Sequence, residues 1–403
     1  MHARPLYLLI CGATAFAGST AFTLNLVYQA TVAGLSPLQM ILVGTVLETV
    51  CFLAQIPTGV LADLRSRRLS VIVGYLLFGA GIMIEGLVPA FAAIIVANIV
   101  WGIGFTFVDG AQEAWLADEV GPEAAGEVML RGGQVAQAAS VAGIGAAVGL
   151  AAFGLNVPIV AAACVWIALG LLLIAVMKED GFTPPVRQAG AAMRDAWRSM
   201  AGHTRTAASS VRRDRALLLV LGATLCTAFA SEGLDRLTQP FLIELGLPGP
   251  VWFGAIAVCG SLGAIAVTEV IRRRMRDASP DRVLRAVALL RAGYAVATVV
   301  LAMTGAFWQA AGVAVVITLL RAATGPLMGG WLAVQTESAT RATVYSLFSQ
   351  VDSGGQVVGG PPLGLIAERF GIRAVLVTAA GVVVPAIALL AAASGRVRGG
   401  VPR

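Results

Sequence analysis

Gly59-Val60-Leu61-Ala62-Asp63-Leu64-Arg65-Ser66-Arg67-Arg68 is the stretch from which the rest of the chain can be read. An apolar run from 37 to 61 leads into it, and a second, from 70 to 88, leads out. Each is long enough for a helix across a bilayer core, which takes about 20 residues. The decapeptide is therefore a loop between two crossings, and its three arginines put it on the cytoplasmic side. Within it, Gly59 permits close helix contact, and Asp63 can cap a helix or pair with an arginine of the other helix bundle.

The same pattern repeats in both directions. Apolar runs bounded by charge, Gly or Pro predict helices near 5–29, 37–61, 70–88, 91–116, 130–153 and 156–177. After a polar break come 216–240, 251–271, 284–304, 308–334, 342–366 and 373–394. The expectation is an all-α polytopic membrane protein with twelve transmembrane helices in two six-helix bundles. With both termini in the cytoplasm, 23 basic residues lie inside, Arg369 and Arg373 lie outside, and Arg236, Arg291 and Arg321 fall within helices. The reverse topology violates the positive-inside rule.

The predicted organisation is an N-terminal bundle (1–177), a cytoplasmic linker (178–215) and a C-terminal bundle (216–403). In the linker, Met193, Trp197 and Met200 recur beside Arg194 and Arg198. That spacing fits either a short amphipathic helix on the membrane surface or a simple tether. Echoes between the halves, such as Gly145 and Gly149 with Gly360 and Gly364, suggest parallel repeats, as two bundles tilting about a central site require.

Composition narrows the function. Of 403 residues, 58% are hydrophobic and 12% charged, against about 25% charged in soluble domains, so a soluble enzyme is excluded. Lys178 is the only lysine and follows Met177, so no phosphate-binding G-x-x-x-x-G-K loop is present and ATP-driven pumping by this chain is not expected. The five cysteines never stand at C-x-x-C spacing, and His2 and His203 lie outside every apolar run. No metal, cofactor or nucleic-acid partner is expected. An intramembrane proton carrier has to be a carboxylate. The first apolar run reads as a retained helix rather than a cleaved signal.

The 59–68 stretch resembles the cytoplasmic G-x-L-A-D-r-x-G-r-k signature of the major facilitator superfamily, with Ser66 in place of the usual Gly and Leu64 in place of a basic residue. The topology extends the resemblance over essentially the whole chain. It implies secondary transport by alternating access, in which Gly59, Asp63, Arg67, Arg68 and Asp118 form a cytoplasmic gate, Asp118 pairing with Arg67 or Arg68. Glu269 before Arg272-Arg273-Arg274 looks like a degraded second copy, or is an ordinary solvated charge. Asn98 stands where the superfamily often has a helix 4 arginine, and the Gly143, Gly145, Gly149 run lacks proline. Gly359-Gly360-Pro361-Pro362-Leu363-Gly364 partly restores the Gly-Pro pattern of drug:proton antiporters. Residues 106–115 and 231–236 resemble a poorly characterised bacterial branch, which implies no known substrate.

One charge at a helix centre costs about 2.5 to 3.5 kcal/mol on insertion scales, so each ionisable residue at membrane depth needs a reason. Glu48, eleven residues into the second predicted helix, is a candidate coupling site, because a carboxyl that switches between neutral and charged states can carry a proton. Otherwise it is a structural Glu bonded to hydroxyls. Asp352, in a stripe with Ser349 and Gln356, either binds substrate or proton or forms a structural pair. Asp109 and Glu113 are one turn apart and compete for one proton if they share a dry space, or else Glu113 joins the gate. Arg236 is spaced to pair with Glu232, and Arg321 needs a partner, for which Asp352 is the expected residue. Asn25, Gln29, Asn98, Trp101, Phe105 and Trp331 are candidates to wall a drug-sized pocket with Arg321 and Gln356, although each aromatic also suits helix packing.

The resulting expectation is a bacterial inner-membrane protein, acting as a monomer in the lipid bilayer, that couples protons to the efflux of small amphipathic organic molecules. Proton-coupled uptake of a nutrient, or a receptor without transport, are the alternatives.

Overall fold

A chain this apolar satisfies its backbone inside lipid only by closing hydrogen bonds within each segment, so helices are the economical solution. The computed structural model describes residues 2–182, 211–212, 214–276, 278–336 and 341–396. The helices there are α1 Ala3–Phe22, α2 Asn25–Thr31, α3 Pro37–Leu64, α4 Arg67–Leu87, α5 Phe91–Val108, α6 Ala111–Val120, α7 Pro122–Ala151 and α8 Val157–Val176. They are followed by α9 Arg215–Glu244, α10 Val251–Arg274, α11 Pro280–Met303, α12 Phe307–Gln335 and α13 Arg341–Ser394. Among the described residues eleven segments are long and apolar enough to cross a membrane. The linker stripe of Met193, Trp197 and Met200 lies outside the described residues.

Local chemistry explains where several helices begin. Ser66 caps α4 by accepting from Leu69 N at 2.9 Å. Asp214 caps α9 through Ala216 N and Leu217 N at 2.8 and 3.2 Å. Each supplies an acceptor for amide groups that the helix itself leaves unpaired.

The predicted boundaries need four corrections. The first helix is not continuous: α1 ends at Phe22, Leu24 is non-helical (φ −119°, ψ 8°), and α2 starts at Asn25. The fourth is also broken, because Gly110 adopts φ +76°, which suits glycine and stops the helix after Val108. Conversely, the acidic stretch around Glu123 is no loop. α7 starts at Pro122, a residue favoured at the first helical position, where its missing N–H costs nothing. The last two predicted helices join as α13, but Gly371 (φ 80°, ψ 172°) interrupts the helical geometry. An unbroken rod of 51 residues would run about 76 Å, more than twice a bilayer core of about 30 Å.

The chain forms two compact units. The first comprises Met1–Leu35, Val46–Ser199 and Pro248–Ala255, the second Ser36–Thr45, Met200–Leu247 and Ile256–Arg403. In the first unit α1 packs on α7 and α8, and α4 on α5 and α8. In the second, α13 packs on α9 and α11, and α11 on α12. Between membrane helices small residues permit close backbone approach, and the two units use the same device. A Cβ at Gly143 of α7 would collide with Phe16 O of α1. One at Gly359 of α13 would collide with Phe229 O of α9.

Candidate functional site

The 59–68 loop builds a clasp within the first unit. Arg67, at the start of α4, reaches Asp63 at 3.4 Å, donates to Ala114 O at 3.1 Å and forms an ion pair with Asp118 of α6. Its guanidinium also lies over the Phe182 ring, 5.4 Å from the centroid. Of the two arginines expected for Asp118, Arg67 takes it. Arg68 turns instead to the end of α8, donating to Ile174 O at 2.7 Å and Met177 O at 2.6 Å. Such terminal carbonyls lack partners within their helix and attract cations.

Ser66 donates to Glu179 at 2.5 Å, and Glu179 accepts from Arg68 N at 2.9 Å. Trp115 Nε1 donates to Lys178 O at 2.7 Å, and Gly181 N to Glu119 at 2.8 Å. The first residues after α8 are thus stitched to the loop and to α6. Among the described residues nothing lies within 4 Å of where the Gly59 Cβ would stand, so the close contact expected there is not made by them. Because α3 runs on to Leu64, Gly59 lies inside the helix, more than a turn before the loop.

At membrane depth, Glu48 sits midway along α3, half-buried. Glu48 and Asp109 both act electrostatically on Cys51. Asp109 is the residue following α5 and accepts from Gln55 at 2.7 Å. Glu113 lies in the first turn of α6 and within electrostatic reach of Asp109. These two carboxylates are neighbours as expected, but across a helix break rather than along one helix.

Asn25 and Gln29 are buried, and both donate to Glu85 Oε1, at 2.8 and 2.7 Å. Tyr28 donates to the Glu85 carbonyl at 2.7 Å. Glu85, only 1% exposed, was missed by sequence reasoning, although it is the one carboxylate in the α4 run and a charge within such a run is itself the signal. Asn98 is buried and donates to Ile94 O, one turn back in its own helix. Trp101 packs with Phe22 and Phe78 at centroid distances of 5.7 and 5.1 Å, while Phe105 is exposed. Trp331 lies in the core of the second unit beside Leu327 and Phe348.

The second unit carries its charges mid-helix. Arg321 of α12 does not pair with Asp352. It forms a two-pronged ion pair with Asp235 of α9, one prong at 2.9 Å. The helical rotation that faces α12 toward α9 decides this, and helix adjacency in sequence could not. Asp352 of α13 instead accepts from Gln356 at 3.0 Å. Arg291, midway along α11, lies over the Tyr294 ring at 5.9 Å. Arg291, Arg321, Asp235 and Asp352 act electrostatically on one another's surroundings. Sequence reasoning placed Arg291 within a helix and gave neither it nor Asp235 a role.

The expected Arg236–Glu232 pair forms at 3.0 Å in the same unit, with Glu232 2% exposed. Gly44 makes room for it, since a Cβ there would overlap the Glu232 carboxylate.

Two helical units, with eleven segments long and apolar enough to cross a membrane among the described residues, are the frame of a polytopic membrane protein. The family model of the Major Facilitator Superfamily matches residues 8–359, and the chain belongs to that superfamily. It is 23% identical over 345 residues to the uncharacterized MFS-type transporter YxaM of Bacillus subtilis (strain 168), covering 85% of this chain and 84% of that one. In fold it is similar to a mutant of the nucleoside transporter NupG (TM-score 0.78, 12% identity, 97% of this chain and 100% of the other). It is also similar to a peptide transporter POT in complex with sulfate (0.76, 15%, 98% and 94%). A bacterial homologue of the human lysosomal transporter Spinster, inward-facing and unoccupied, gives 0.75 at 15% identity, covering 98% of each chain. At these identities the likeness concerns the fold alone.

Proposed function

We propose that this secondary transporter exports small amphipathic organic molecules across the bacterial inner membrane in exchange for protons. It does so by alternating access, as a monomer with twelve crossings and both termini in the cytoplasm. In this reading the two arms of α13 on either side of Gly371 are separate crossings. Glu48, Asp109, Glu113 and Asp352 are the proton-binding candidates. Asn25, Gln29, Asn98, Trp101, Phe105, Arg321, Trp331 and Gln356 serve the substrate, Asn25, Gln29, Asn98, Trp101 and Trp331 by holding the walls from within and Arg321 by bracing α12 on α9 through its pair with Asp235. The Arg67 clasp with Asp63, Arg68 and Asp118 serves the cytoplasmic gate.

The observation that carries the reading is Asp352: a carboxylate at membrane depth whose hydrogen bond comes from a neutral amide, Gln356. A single bond from a neutral amide holds a carboxyl in its charged form less firmly than an ion pair does, so such a group is freer to take up a proton. The test is transport in proteoliposomes under an imposed pH gradient. Asp352→Asn and Glu48→Gln should each abolish gradient-driven movement while ligand binding persists. Normal pumping by a variant removes that residue from the coupling role.

Proton-coupled uptake is a second reading, favoured by the nearness of Arg291 to Asp352. Neutralising Asp352 frees the field of Arg291 for an anion, so proton and anion load together. Accumulation of an anion driven by external acid selects this reading, and acid-driven expulsion selects the first.

A further inference from the structure

An arginine halfway through a membrane helix normally has its charge met. In the second unit Arg321 obeys this, with both guanidinium prongs on Asp235. Arg291 does not. Among the described residues it has no ion pair, and its closest support is the flat face of Tyr294, itself almost fully buried at 2% exposure. An aromatic face offsets part of a cation's desolvation. Among the described residues no hydrogen-bond acceptor meets its fork. Asp352 is within electrostatic reach yet outside ion-pair distance, and its Oδ2 is bonded to Gln356. The unit therefore presents a positive, planar donor at mid-helix, where a charge without purpose is costly.

We infer that Arg291 receives the head group of the transported molecule, which makes the substrate class amphipathic organic molecules bearing a carboxylate. A carboxylate matches the planar fork with two parallel N–H···O bonds, and a cation does not. The inference rests on the reading of this chain as a carrier of small amphipathic molecules and narrows it to one sign of charge. Arg321 is the wrong arginine for this role, because its fork is already filled by Asp235. A guest there would have to break an existing two-pronged pair.

The experiment uses two dyes that share a fluorophore and differ in charge, dansylglycine (carboxylate) and dansylcadaverine (ammonium). Both are titrated into the full chain in lipid nanodiscs. Wild type should bind dansylglycine at least tenfold more tightly than dansylcadaverine. Arg291→Gln should lose at least tenfold in affinity for dansylglycine and leave dansylcadaverine unchanged. Arg291→Lys, which keeps the charge but not the fork, should lose about threefold or more for the anion alone, and it serves if the Gln variant fails to fold. Preference of wild type for dansylcadaverine, equal anion binding by wild type and both variants, or no binding of dansylglycine overturns the inference.

Counterflow of the same dyes in proteoliposomes separates this from the transport reading. Movement of dansylcadaverine alone leaves a transporter and sinks the anion site. Movement of neither dye, with no substrate found in a wider amphipathic panel, sinks the transport reading itself.

Discussion

The two units share a helix-crossing device and differ in where they place charge. Gly143 against Phe16 in the first and Gly359 against Phe229 in the second do the same job. In the first unit, however, the arginines work at the helix ends: Arg67 spans to Asp118 and Arg68 to the carbonyls closing α8. In the second the corresponding cluster is shallow. Among the described residues Arg272 and Arg273 pair only with Glu269 of their own helix, at 2.7 and 2.6 Å, and both arginines are well exposed. Its consequential charges are Asp235, Arg291, Arg321 and Asp352, at membrane depth. One unit has kept a structured loop and the other has invested in its helix centres.

The strongest attack on this contrast is to unbalance a buried pair in the second unit. Arg236→Gln leaves Glu232, 3% exposed in its side chain, without its cation, and should cost about 3 to 5 kcal/mol. A large fall in thermal stability in detergent checks it. Glu232→Gln on top should restore most of the loss, and additive losses would mean that the pair does not act as a unit.

The shared device comes next. Gly143→Ala and Gly359→Ala each force a methyl onto a backbone carbonyl and should each destabilise by about 1 to 3 kcal/mol. Matching shifts would support the repeat equivalence, and a loss at only one site would break it.

The loops give the smallest effect and the sharpest asymmetry. Arg67→Gln should cost about 1 to 3 kcal/mol, because it strips hydrogen bonds from partly buried acceptors. Glu269→Gln should change stability by no more than about 0.5 kcal/mol, as exposed pairs do. Equal thermal shifts for the two would mean that the second loop has kept its role.

Much of this was legible before any coordinates. The apolar runs gave the helices, because a segment in lipid cannot leave its backbone unpaired, and the 59–68 stretch pointed to the superfamily. Pairs along one helix, such as Glu232 with Arg236 or Glu269 with Arg272, follow from spacing alone. What stayed hidden depends on rotation about helix axes. Arg321 faces Asp235 rather than Asp352, and Asn25 and Gln29 turn onto Glu85 instead of lying open. The break at Leu24 was missed because it does not interrupt hydrophobicity; Asp109-Gly110 does interrupt it, but the run was read through because apolar residues resume at Ala114-Trp115-Leu116.

The stitching of Lys178, Glu179 and Gly181 to the loop and α6 bears on how the gene can be divided. If the protein is produced as two separately encoded fragments, the cut site matters by a few residues. An N-terminal fragment ending at Met177 lacks the partners of Ser66, Trp115 and Glu119, and leaves Arg68 bonded only to carbonyls at its own tail. One ending at Phe182 keeps them all. Co-expressed with the remainder of the chain, the longer fragment should accumulate in membranes and the shorter be degraded.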